Sequence, residues 1–175
     1  LEDLLEIPEN NFRLPDVGEI ELKAKRVDSQ SMLTIATKSP EPKGVNRVLF
    51  DKLKYQDSFG HYCLHTTVCG SRFNNQGLKI SPVDKILRLQ NKASIEAYWP
   101  MSTFDDVLVS KSNKILLVFA ETTGERKTIS EKFHYIEAYM LSNLNINKFA
   151  SAIQNDKLKV DIRIGVYRSG KSVGK

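Results

Sequence analysis

From Glu19 to Lys25 charged and apolar residues alternate, with Glu19, Glu21, Lys23 and Lys25 on one side and Ile20, Leu22 and Ala24 on the other. A period of two predicts a half-buried strand. Residues 32–37 (MLTIAT) predict a second strand, the hairpin partner of the first. Ahead of them, residues 1–7 (LEDLLEI) space their apolar side chains as a helix does and stop at Pro8, and residues 9–18 read as a loop. Val45, Val48, Leu49 and Leu53 mark a helix over 45–53. Residues 62–69 form a strand, followed by a polar loop over 70–77 and a hairpin from 78–80 and 85–89. Ser102 caps a short helix to about Val109. Residues 115–120 (ILLVFA) are almost wholly apolar, which predicts a central strand. A strand over 133–140, a helix over 146–154 and a closing strand over 160–167 complete the chain. In that last strand Val160, Ile162, Ile164 and Val166 face one way, and Asp161, Arg163, Gly165 and Tyr167 the other. Trp99, Phe119 and Phe149 are expected in the core. With no repeat and no linker, these elements predict one α/β domain with a mixed sheet.

Composition agrees with this. The 175 residues, 41% hydrophobic and 27% charged, suit a single globular domain with a core of its own. No apolar run approaches the roughly 20 residues that cross a bilayer, so no membrane role is expected. The net charge of +5 suits a polyanionic partner, although a solvated basic surface would have the same charge. Lys and Arg gather in Lys23-Ala24-Lys25-Arg26 and in residues 168–175. The two cysteines, Cys63 and Cys69, fit free thiols in a reducing compartment. A zinc site built from His61, Cys63, His65 and Cys69 fails on geometry. Strand residues advance about 6.6–6.8 Å per two positions, whereas zinc ligands lie about 2.0–2.3 Å from one ion.

The stretch from Pro15 to Lys23 carries the chemistry. Glu21 and Lys23 are two apart on a strand and project from one face. Asp16 precedes the strand and can fold back beside them. Two carboxylates around one ion, with water completing the shell, is the usual way Mg²⁺ is held. A neighbouring lysine can orient the attacking water or offset charge on a phosphate. A solvated strand face would carry the same residue types, so the short motif alone does not decide.

Longer segments do. Asp16-x4-Glu21-x-Lys23 looks like the PD-(D/E)xK nuclease motif, with Pro15-Asp16 as its first element. Leu1-Glu-Asp-Leu-Leu-Glu6 resembles the helix preceding this motif in the MvaI/BcnI and MutH-like nucleases. Met32-Leu-Thr-Ile-Ala-Thr-Lys-Ser-Pro40, Leu64-His-Thr-Thr-Val-Cys-Gly-Ser-Arg72 and Lys159-Val-Asp-Ile-Arg-Ile-Gly-Val-Tyr-Arg-Ser-Gly-Lys171 resemble further MvaI/BcnI segments in the same order. Residues 73–157 carry only general strand and helix character.

The resemblance implies a restriction-endonuclease-like mixed β-sheet flanked by helices, in an Mg²⁺-dependent type II restriction enzyme. Asp16, Glu21 and the Leu22 carbonyl would bind the metal, Lys23 would position the water, and Glu2 would support them from the helix. Lys38, His65, Ser71, Arg72, Arg163, Tyr167, Arg168, Ser169 and Lys171 would contact double-stranded DNA, with Lys38 brought near the first strand by the hairpin. It further implies a monomer in the prokaryotic cytoplasm, cutting a CC-N-GG-like site, with a cognate DNA methyltransferase as companion. Family members continue past Lys175, so residues 1–175 are expected to be one endonuclease domain without its N- and C-terminal segments. The rivals are a MutH-like mismatch-repair nicking enzyme, a non-catalytic DNA-binding domain and a junction resolvase.

Overall fold

A computed structural model describes residues 3–7, 15–111 and 114–165. In chain order its strands are β1 (Glu21–Arg26), β2 (Tyr55–Gln56), β3 (Tyr62–Val68), β4 (Leu78–Val83), β5 (Ile86–Asn91), β6 (Tyr98–Pro100), β7 (Lys114–Thr123), β8 (Lys132–Ser142) and β9 (Val160–Gly165). Its α-helices are α1 (Val45–Leu53) and α2 (Ile146–Gln154). The chain packs as two compact units, one from Leu1–Thr37 and Asp105–Asn145, the other from Lys38–Phe104 and Ile146–Lys175.

The first unit holds a mixed sheet in the order β1-β7-β8. The apolar run of β7 lies in the middle, parallel to β1 and antiparallel to β8. A strand with neighbours on both edges is where a continuous apolar sequence belongs, and Ile115, Val118 and Ala120 are buried. Glu21 pairs with Ile115 and Lys23 with Leu117, so the charged positions of β1 lie at the start of the central strand.

Three sequence expectations change here. Residues 32–37 form no strand, and β1 pairs with β7 in place of a hairpin partner. The reason lies at the other edge of β1, where the Leu22 N–H is bonded to the Asp16 carboxylate rather than to a second strand. The helix expected over residues 1–7 is not present over the described residues 3–7. Among the described residues only a 3₁₀ turn, Asp3–Leu5, is present, with Leu4 and Leu5 exposed. A helix this short repays its nucleation cost only by burying an apolar face. Finally, the helix from Ser102 is two short pieces, a 3₁₀ turn Met101–Phe104 and a π turn Val107–Lys111. Met101 and Phe104 are buried three apart, the spacing at which 3₁₀ side chains eclipse.

The second unit carries two antiparallel sheets, β2-β3-β9 and β4-β5-β6, with α1 and α2. Leu49 of α1, Leu64 and Val68 of β3, Leu78 and Ile80 of β4, Leu87 and Leu89 of β5 and Ile153 of α2 are the largest fully buried side chains among the described residues. Phe104 and Phe149 pack with ring centroids 4.9 Å apart. Trp99 is buried, as expected, and its indole N–H donates to the Lys38 carbonyl at 3.0 Å. Phe119, in the first unit, is only half-buried. Among the described residues no helix is long and apolar enough to cross a membrane.

Candidate active site

The catalytic candidates are assembled by a tight turn. Val17 and Ile20 exchange both backbone hydrogen bonds, at 3.0 and 2.8 Å. Gly18 between them has φ +57°, the left-handed value that glycine supplies at low cost in hairpin turns. The reversal lays Asp16 back along β1, where its Oδ2 accepts the Leu22 N–H at 2.8 Å. In a strand the N–H and C=O of one residue point to the same edge. The Leu22 carbonyl therefore shares the edge occupied by the Asp16 carboxylate, while Glu21 and Lys23 send their backbone groups toward β7.

Glu21 and Lys23 do project from one face. Lys23 Nζ donates to Glu21 Oε1 at 2.6 Å. Glu21 is 5% exposed and is the one buried charged residue among those described. A buried carboxylate needs a cation and hydrogen bonds to offset its lost hydration, and here the ammonium of Lys23, itself only partly exposed, supplies one. Farther along, Arg26 pairs with Glu131 at 2.7 Å and lies over the Phe133 ring. The exposed Glu19 pairs with Lys114, whose hydrogen bond holds the Glu19 carboxyl below its usual range.

Among the described residues no three His, Cys, Asp or Glu side chains cluster as metal ligands. The first strand offers a different donor set, two carboxylates and one carbonyl. Such hard oxygens suit a hard divalent cation that keeps several waters better than zinc, which favours nitrogen and sulfur ligands. Glu2 lies outside the described residues.

The expected DNA contacts are unevenly placed. His65 on β3 is directly opposite Arg163 on β9, and both are exposed. Asp161 holds this face together. It accepts Arg163 Nε at 2.7 Å on one oxygen and the Thr67 hydroxyl at 3.1 Å on the other. Its hydrogen bond raises the Arg163 pKa above the ordinary guanidinium value. Sequence reasoning placed Asp161 beside Arg163 but missed this role, although a spacing of two on a strand is its signal. Arg72 is exposed and makes no hydrogen bond or ion pair with the described residues. Lys38 ends no strand; it belongs to the second unit, and its carbonyl is bonded to Trp99. Tyr167, Arg168, Ser169 and Lys171 lie outside the described residues.

Ser71 is tied to Asp156, which follows α2. Its hydroxyl donates to Asp156 Oδ2, and the Gly70 and Ser71 N–H groups donate to Oδ1 at 2.9 and 3.0 Å. The Ser71 hydroxyl, then its N–H, holds the Asp156 carboxyl below its usual range. A depressed carboxyl stabilises the fold above its unfolded pKa of about 3.9, and that contribution is lost as pH falls through the lower folded value. Asp156→Asn is therefore expected to melt below the wild type at pH 6. The two melting temperatures should converge as the pH is lowered below about 4, which thermal unfolding across that range checks.

The chain matches the MvaI/BcnI restriction endonuclease family over residues 1–175. The chain belongs to that family. Among solved structures it resembles the restriction endonuclease MvaI in complex with its cognate DNA substrate. There it shares 34% identity at a TM-score of 0.80, covering 97% of this chain and 74% of that one. It also resembles MvaI in the absence of DNA, at 30% identity and a TM-score of 0.61, covering 97% of this chain and 71% of that one. No curated protein matches. The protein is thus a type II restriction endonuclease with the α/β restriction-endonuclease fold, a DNA-binding phosphodiester hydrolase. Membership implies a divalent metal cation.

Proposed function

We propose that this endonuclease cuts both strands of double-stranded DNA at a short specific site, using Mg²⁺ at the start of β1 in a PD-(D/E)xK arrangement. The observation that carries this reading is the return of Asp16 to the Leu22 N–H beside the Glu21–Lys23 ion pair. Asp16, Glu21 and the Leu22 carbonyl would hold the ion. When bound, it supplies Lewis-acid polarisation of the phosphate. Asp16 keeps its carboxylate at the strand edge through the Leu22 N–H. Lys23 donates a hydrogen bond from its ammonium to the attacking water or to a phosphate oxygen, which orients the one and offsets charge building on the other. Water attacks phosphorus and loses a proton as the P–O3′ bond breaks. The leaving 3′-oxygen takes up a proton from solvent, which gives the 5′-phosphate and the 3′-hydroxyl that family resemblance assigns to the products. Glu2 supports the site from its N-terminal position.

On the DNA, Arg163 and Arg72 are suited to guanine O6/N7 and His65 to a base edge. Lys38 and Ser71, with Tyr167, Arg168, Ser169 and Lys171, complete the proposed contacts, the lysines and Arg168 mainly to phosphate. A CC-N-GG-like site, action as a monomer and a partner methyltransferase follow from the resemblance. So does a prokaryotic cytoplasmic setting, which the free thiols of Cys63 and Cys69 support.

Digestion of plasmid DNA in Mg²⁺ or EDTA, followed by end sequencing, tests this reading. The expected result is Mg²⁺-dependent fragments that share one end sequence. Nicks without double-strand breaks would favour the MutH-like rival, and cutting in EDTA would overturn the metal assignment.

A further inference from the structure

We infer that Phe59, at the tip of the β2–β3 hairpin, is a wedge that packs between bases of the bound duplex and unstacks one step. The inference rests on reading the His65–Arg163 face as DNA-facing, because the hairpin extends the same sheet.

Phe59 is 82% exposed, the most exposed aromatic among the described residues. Its loop is nevertheless built. The Asp57 carboxylate accepts the N–H groups of Phe59 and His61, each at 2.9 Å. The Asp57 N–H donates to the His61 carbonyl at 2.9 Å, and the Gly60 N–H to the Asp57 carbonyl at 3.0 Å. Gly60 takes φ +78°, which closes the turn. So much exposed apolar surface contributes nothing to folding, yet the backbone beneath it is fixed. A group already ordered loses little freedom on contact.

The surroundings name the partner. Tyr55 and Tyr62 are exposed on the same hairpin, and Lys54 lies 5.2 Å from the Tyr62 ring centroid. Tyr55 and His65 share the Arg163 face, whereas Lys54 and Tyr62 lie on the other face of the hairpin, so cationic and imidazole groups stand among aromatics on both sides of the tip. Asp57 is engaged by its own loop, and Asp51 and Asp161 pair with Lys54 and Arg163. Aromatics interleaved with such groups suit nucleic acid, whose bases stack and whose phosphates attract cations. A rigid apolar tip is the form of side chain that wedges between base steps. From His65 to the tip is roughly 16 Å along the strand, about five base-pair steps, so the wedge would act at the margin of the contacted site.

The test uses cognate duplexes carrying 2-aminopurine at successive positions, with Ca²⁺ replacing Mg²⁺ so that they stay intact. The wild type should raise the fluorescence several-fold at one position, where a base is unstacked. Phe59→Ala should abolish the rise without lowering the melting temperature, because the side chain is exposed. Asp57→Ala, which frees the loop but keeps the ring, should weaken it. A bound duplex with no bright position would overturn the inference. So would a rise unchanged in Phe59→Ala, or a Phe59 effect confined to self-association in sedimentation. Arg163→Ala separates the two readings. Undiminished duplex affinity there would remove the DNA-facing role of that face, whereas a Phe59-dependent rise that persists in it would still uphold the wedge.

Discussion

Lys23→Ala is expected to slow strand cleavage by about 10²–10⁴-fold while leaving duplex affinity within a few-fold of wild type, a range typical for losing one proton-transfer or charge-stabilising group. The two effects separate because the Lys23 ammonium is directed at Glu21, 2.6 Å away, on a strand whose neighbour is the central β7. Its loss removes a donor from the proposed reacting centre and leaves the exposed His65–Arg163 face unchanged in sequence. Folding is a weaker concern, although Glu21 is buried and loses its cation. Loss of that ammonium beside a buried carboxylate would destabilise the first unit, so thermal unfolding belongs beside the kinetics, and Lys23→Arg gives the comparison that keeps the charge. Single-turnover cleavage and equilibrium binding on one cognate duplex make the measurement. Cleavage within threefold of wild type in a folded Lys23→Ala protein would remove Lys23 from the chemistry.

A second large effect is expected at Gly70, on stability. A Cβ there would meet the Ile153 carbonyl oxygen at 2.1 Å and its carbon at 2.8 Å. Both are backbone atoms at the end of α2, and Ile153 is buried, so neither side can yield cheaply. Overpacking of this kind costs about 2–3 kcal/mol, or about 5–10 °C in melting temperature for a chain of this size. Gly165 is the control, since a Cβ there would meet nothing within 4 Å, and Gly165→Ala should stay within about 0.5 kcal/mol. Equal stability of the two variants would show that the approach at Gly70 relaxes. Because Gly70 and Ser71 share Asp156, Gly70→Ala should also disturb the segment that presents Arg72.

Periodicity made most of the elements legible. Both helices, 45–53 and 146–154, match α1 and α2 residue for residue. The ILLVFA run announced the central strand, and Ile162 and Ile164 are buried where alternation put them. Residues 32–37 misled because a strand-like pattern says nothing about whether an edge is free to receive it. That edge is taken at Leu22 by a side chain, a bond invisible to any count of apolar positions. Within the candidate site, Glu21 and Lys23 were readable because two positions on a strand share a face. The partner of Ser71 was not, since Asp156 lies far along the chain and only folding brings it there.

The parallel pairing of β1 with β7 has a bearing on timing. Residue 21 faces residue 115, about ninety positions downstream, so a growing chain holds its acidic and lysine groups long before the sheet that orders them can close. A ribosome-bound fragment ending before β7 would have the proposed catalytic side chains and no sheet to order them. For an enzyme that threatens any unprotected chromosome, competence to cut then waits on synthesis of the central strand.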